Sequence, residues 1–156
     1  MKLLAIDPGN IESAYVILGE DYKPIEHAKV LNDELLEKLM HQSNDWDLTD
    51  MAIEMIASYG MAVGKTVFDT CVWIGRFLQA ADYIPNKQLV YRKDEKMNLC
   101  GSMKAKDGNI RQALIDRFGV VGTKKNQGFF YGFSKDQWAA MAVGVTYLDE
   151  LLKRFE

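Results

Sequence analysis

Three carboxylates interrupt or end apolar segments. Asp7 closes the run Lys2 to Ile6 at the turn Asp7-Pro8-Gly9, Glu54 is the one charge inside Met51 to Ile56, and Asp136 falls in the first turn of a long apolar-periodic helix. Each has an ordinary explanation alone: Asp before Pro-Gly is turn chemistry, a strand Glu can face solvent, and an Asp near a helix N-terminus meets the dipole favourably. Together they offer hard oxygen donors, the ligand type Mg²⁺ takes, at the ends or centres of core elements. Brought together, they would repel one another without a cation. With one, they suit hydrolysis of a phosphodiester.

The elements that would position them follow from pattern. Lys2 to Ile6 and Glu12 to Gly19 read as a hairpin, and His27 to Leu31 as a third strand. Asn32 is placed to cap a helix with Leu35, Leu36 and Leu39 at helical spacing. Asn44 to Asp50 reads as a loop, Met51 to Ile56 as a strand, Thr66 to Ala81 as a helix and Leu89 to Arg92 as a strand. Asp107 to Phe118 is a helix closed by Gly119, and Ser134 with Gln137 forms a capping-box pattern before the last helix. In that helix Trp138, Met141, Val145, Leu148 and Leu151 line one face. The order β-β-β-α-β-α-β-α-α, with no internal repeat, predicts one α/β domain over residues 1–156.

Net charge is -3, which argues against a nucleic-acid partner until the distribution is counted. Between Asn86 and Lys125 there are ten basic and four acidic residues, a net of +6, against nine basic and eighteen acidic elsewhere, a net of -9. A solvated helix face accounts for part of this. A DNA-facing stripe accounts for the rest, because Tyr91, Phe118, Phe129, Phe130 and Tyr131 lie within or beside it as stacking surfaces. Cys71 and Cys100 share no metal-like spacing with each other or with His27 and His41, and read as reduced thiols. No run reaches the roughly 18 apolar residues of a membrane span, so a cytoplasmic protein is expected.

The segment Gly60 to Thr66 follows a strand and precedes a helix in the manner of a phosphate-binding loop, but its glycines are separated by three residues where that motif has four. It is either a Gly-hinged loop or a place where Lys65 and nearby backbone touch a DNA phosphate beside Glu54.

The chain resembles the RuvC-type Holliday junction resolvases, most closely the RuvC-like resolvases of lactococcal phages. The carriers are Ala5-Ile6-Asp7-Pro8-Gly9, Ala52-Ile53-Glu54, Gly101-Ser102 with Lys104 and Lys106 before a helix, and Asp136 before Ala140-Met141-Ala142. The resemblance implies a ribonuclease H-like fold with a mixed five-stranded sheet flanked by helices. It also implies a homodimer, and paired sites that nick opposed strands of a four-way junction. Asp7, Glu54 and Asp136 would be catalytic metal ligands for Mg²⁺, with Mn²⁺ as a substitute. Lys106 and Lys96 fall where the family places catalytic or phosphate-binding lysines. The family's fourth acid is absent, since Ala139 stands three residues after Asp136; an alternative register removes an earlier acid instead. Where bacterial members carry an aromatic that opens the junction, this chain has Ala57, with Tyr59 as a candidate substitute.

The expected function is therefore a structure-selective, Mg²⁺-dependent endodeoxyribonuclease that leaves 5'-phosphate and 3'-hydroxyl ends on four-way junctions and other branched DNA such as forks. Its expected setting is the cytoplasm of a bacterial host, if the gene belongs to a phage. DNA contacts are assigned to Tyr59, Lys65, Arg92, Lys93, Lys96, Lys104, Lys106, Arg111, Lys124 and Lys125. Two rivals stand beside it: a junction-binding protein that does not cleave, and an ATP-using phosphotransferase built on a related fold.

Overall fold

The structure of the chain, a computed structural model, describes residues 1–41 and 46–155. Its elements are β1 (Lys2–Asp7), β2 (Glu12–Gly19), β3 (Pro24–Leu31), α1 (Asn32–Met40), β4 (Asp50–Met55), α2 (Lys65–Ala80), β5 (Asn86–Tyr91), α3 (Arg92–Cys100), α4 (Asp107–Phe118) and α5 (Lys135–Lys153). Of the loop expected over Asn44 to Asp50, Asn44 and Asp45 lie outside the described residues, 46–49 have no regular structure, and Asp50 already opens β4.

The strands form one sheet in the order β3-β2-β1-β4-β5. β1 pairs antiparallel with β2 and parallel with β4, and β4 pairs parallel with β5. The hairpin supplies the antiparallel half, while the parallel pairs need crossovers, which α1 and α2 provide. β1 is central and covered on both faces: Leu3, Leu4, Ala5 and Ile6 are all fully buried. Alternation divides them. Leu3 and Ala5 join a core with α4 and α5, and Leu4 and Ile6 one with α1 and α2. Each buried Leu or Ile contributes roughly 1.5–3 kcal/mol, so the strand that carries Asp7 is firmly held.

Helix α5 approaches the sheet closely because Gly144 has no side chain. A Cβ there would stand 2.5 Å from Leu18 Cδ1 and 3.0 Å from Ala5 Cβ. That approach fixes the height of Asp136 above the sheet.

Three local expectations need correction. Asn32 is not a cap but the first residue of α1, and its buried side chain accepts from Ser13 Oγ at 2.6 Å and donates to the Gly9 carbonyl at 2.9 Å. It thereby clamps the turn after Asp7. Ser134 is the N-cap of α5 by backbone but makes no side-chain cap bond, and the reciprocal half of the box is lost because the Gln137 side chain turns to His27 Nδ1 at 2.5 Å. The third is α3, a helix to which the sequence pattern assigns no element. Its nine residues have a single buried position, and that position is Glu95, so no apolar stripe marks the helix.

Candidate active site

Strands β1, β4 and β5 are parallel, so their carboxyl ends share one edge of the sheet. The register sets Ile6 opposite Ile53, which brings Asp7 beside Glu54 one residue on. Asp7 lies on the side of β1 that carries Leu3 and Ala5, and Glu54 on the side of β4 that carries Ala52, so both address the α5 face. Asp136 comes to the same edge from the first turn of α5. The structure thus gathers all three carboxylates that the sequence singles out.

A fourth acid, missed by sequence reading, lies next to them. Glu95 of α3 is fully buried, and its carboxyl lies beside that of Glu54. Glu54 is in the same relation to Asp7. Burial, reinforced by the neighbouring Glu54, pushes the Glu95 carboxyl well above the usual carboxylate range. Burial and then Glu54 and Asp136 raise Asp7 likewise, with Arg92 opposing. Among the described residues, Glu54 Oε1 and Glu95 Oε2 are buried without a hydrogen-bond partner. Buried carboxylate oxygens in that condition cost several kcal/mol unless a charge meets them.

Two cations are close. Arg92, the first residue of α3, reaches Glu95 Oε1 at 3.5 Å and is also paired with Asp107. Lys29, on β3 and not anticipated from sequence, holds Asp136 Oδ2 at 2.5 Å. No three of these acids stand as a ready coordination shell among the described residues. Asp136 is engaged by Lys29. Hard, partly orphaned oxygens nevertheless fit a divalent cation, and Asp7, Glu54 and Asp136 with Glu95 are the residues able to hold it.

Grooves flank Asp136. One, of about 400 Å³, is lined by Asp7, Glu12 and Lys29; the other, of about 310 Å³, by Arg92, Arg111, Lys135 and Ala139. Arg111 lies over the Trp138 ring, 4.8 Å from its centre, which steadies its guanidinium at the groove wall.

The other predicted contacts disperse. Lys106 is the exposed N-cap of α4, its backbone N–H donating to Asn109 Oδ1, and Lys104 is exposed just before it. Lys93 and Lys96 lie on α3, exposed and half-buried. Lys124 and Lys125 are exposed within a turn closed by the Gly122–Gln127 bridge. Lys65 opens α2, pairs with Asp69 and lines neither groove. Tyr59 is 63% exposed on a left-handed backbone. The aromatic residues are largely a correction: Phe130 is fully buried, and Phe118 and Phe129 stack at 5.3 Å against the core, so they pack rather than present faces to bases. Only Tyr131 remains exposed, and Tyr91 is half-buried. Cys71 and Cys100 are free thiols, and no helix among the described residues is long and apolar enough to cross a membrane.

No protein-family model matches the chain, and no curated protein matches it in sequence. Solved structures do match. Thermus thermophilus RuvC superposes with a TM-score of 0.74 at 12% identity, covering 98% of this chain and 97% of that one. T. thermophilus RuvC in complex with a Holliday junction substrate gives 0.73 at 13%, covering 98% and 96%. At such identities the likeness is one of fold. The chain has the ribonuclease H-like fold of RuvC type, a mixed five-stranded sheet flanked by helices, as its sequence led us to expect.

Proposed function

We propose that this single domain is a metal-dependent DNA endonuclease that resolves four-way junctions and related branched DNA. The observation that carries the reading is the convergence of Asp7, Glu54 and Asp136 on one sheet edge, between grooves to which Arg92, Arg111 and Lys135 bring positive charge. The RuvC fold supports the choice of substrate, since one such neighbour is bound to a Holliday junction.

Bound Mg²⁺, or Mn²⁺ in its place, would supply Lewis acidity and an activated water for in-line attack on the phosphodiester. The chain's own groups do the remainder. Asp7 and Glu54 are fixed by strand register, and α5 delivers Asp136 to the same edge, where it must exchange Lys29 for the metal. Arg92 and Arg111 line the groove beside Asp136, where they meet phosphate oxygens and offset charge developing there. Lys104, Lys106, Lys93 and Lys96 are available to the flanking DNA backbone, and binding would weaken steeply with salt. Attack by water leaves 5'-phosphate and 3'-hydroxyl ends.

Two opposed nicks require two sites, hence a homodimer. Of the apolar residues on α2, Phe77 is core, but Val72 and Phe68 are 62% and 60% exposed on one helix side, and they are the contact we assign to it. The non-cleaving alternative is favoured by one observation, the Lys29 ion pair that already occupies Asp136.

Cleavage of a labelled mobile four-way junction and a matched linear duplex, with Mg²⁺ or EDTA, separates these readings. Nicking of the junction that needs Mg²⁺ and disappears in Asp7→Asn, Glu54→Gln and Asp136→Asn is expected. Junction binding without nicking in any metal would establish the architectural protein instead, and saturable ATP binding with no affinity for DNA would favour a phosphotransferase.

A further inference from the structure

The acid missing from position 139 has a counterpart on another helix. All of α3 is polar or half-exposed on its outward sides, and its single buried side chain is Glu95, at 0% exposure. A helix position that needed only to fill space would be served by an uncharged residue, without the desolvation cost that a carboxylate carries there. The protein does not neutralise this acid well. Arg92 is its one ion-pair partner among the described residues, at 3.5 Å, and that guanidinium is shared with Asp107. Glu95 Oε2 has no partner among the described residues, and the orphaned Glu54 Oε1 belongs to the carboxylate beside it. Two buried, unpartnered oxygens on adjacent acids, with one cation shared between Glu95 and Asp107, describe a place built for further positive charge.

Position 139 is linked to Glu95 through Arg92. Ala139 is half-exposed and lines a groove with Asp136 and Arg92, the residue that pairs with Glu95 from the first turn of α3. We infer that Glu95 is the fourth carboxylate of the metal site, supplied from α3 in place of the acid absent from α5.

This inference rests on the metal-dependent reading above, and its test separates the two. Mn²⁺ binding to the full-length, metal-stripped chain is measured by titration calorimetry, with thermal melting in EDTA as the check on folding. Glu95→Gln keeps shape and hydrogen-bonding capacity, so a residue that only positions Glu54 would tolerate it. For a ligand, Mn²⁺ affinity falls at least about tenfold while the metal-free protein melts no lower than wild type. Adding Ala139→Asp to Glu95→Gln should recover most of that loss. Wild-type Mn²⁺ affinity in a folded Glu95→Gln protein, with binding lost in Asp7→Asn, would overturn the assignment of Glu95 and leave the metal site standing. Unchanged binding in Asp7→Asn as well would remove both. If Glu95→Gln does not fold, Glu95→Asp replaces it: the charge is kept but withdrawn by one methylene, weakened Mn²⁺ binding is expected, and undiminished affinity would refute the role.

Discussion

Lys29 Nζ lies 2.5 Å from Asp136 Oδ2, and this one contact neutralises the acid that α5 brings to the site. The pair is substantially exposed, so it contributes little to stability, less than about 1 kcal/mol after solvent screening. Its importance lies in competition, since a cation entering the site must displace the ammonium. Lys29→Met is therefore expected to raise Mn²⁺ affinity several-fold with little change in Tm, as read by calorimetry and melting. Unaltered affinity would show that the pair opens at no cost.

The acid pair makes the metal-free protein sensitive to alkali. Burial, then Glu54, hold both Asp7 and Glu95 above the ordinary carboxylate range. Their folded-state affinity for protons exceeds that of the unfolded chain, so the stability they contribute is complete below the unfolded value of about 4 and is lost as pH rises through the raised values. In EDTA the Tm should decline from about pH 4 upward, through the raised Asp7 value of about 8, until the Glu95 value of about 10 is passed. Saturating Mg²⁺ should abolish the decline, and Asp7→Asn should flatten it. A flat metal-free profile in the wild type would contradict the raised proton affinity of these two acids.

At the acid end the sign reverses, and a different residue governs it. Burial alone would raise the Asp149 carboxyl, but bidentate bonds from Arg117 at 2.8 Å, with Tyr22 at 2.6 Å and Asn98 at 2.8 Å, hold it below the usual range. Its contribution is present above about pH 4 and is lost as pH falls through the lowered value. Asp149→Asn should cost about 1–3 kcal/mol near neutrality by urea unfolding, with the difference from wild type narrowing in acid. A constant difference across that range would assign the loss to packing.

Dimerisation through α2 predicts a separable defect. Phe68→Glu with Val72→Glu places charges on an exposed apolar stripe without touching the core residues Ile74 and Phe77. Sedimentation should show a monomer with wild-type Tm that still binds Mn²⁺ but no longer makes paired cuts in one junction. A dimer unaffected by these charges would place the contact elsewhere.

What the sequence disclosed followed from contrast. Asp7 and Glu54 stand out because they are charges set against strands otherwise apolar, and the turn after Asp7 is announced by Pro8 and Gly9. Strand and helix order could be read for the same reason, since buried elements carry periodic apolar residues. Glu95 and its helix were hidden together, because the residue that faces inward is itself charged and removes the periodicity that would reveal α3. Lys29 was invisible for another reason: its meeting with Asp136 joins an edge strand to a distant helix, a relation no local pattern encodes. The aromatic residues near the basic stripe misled because composition does not distinguish a stacking face from a core, and Phe118, Phe129 and Phe130 form the latter.

The register that sets Ile6 against Ile53 has a consequence for the cell. A parallel pair cannot close until the hairpin and the crossover between its strands have formed, and Asp136 arrives only when α5 docks over the completed sheet. A chain still emerging from the ribosome, however well its first strands have folded, holds an incomplete set of acids. On the metal-dependent reading proposed above, activity would thus be withheld through most of synthesis and arise only in the finished molecule.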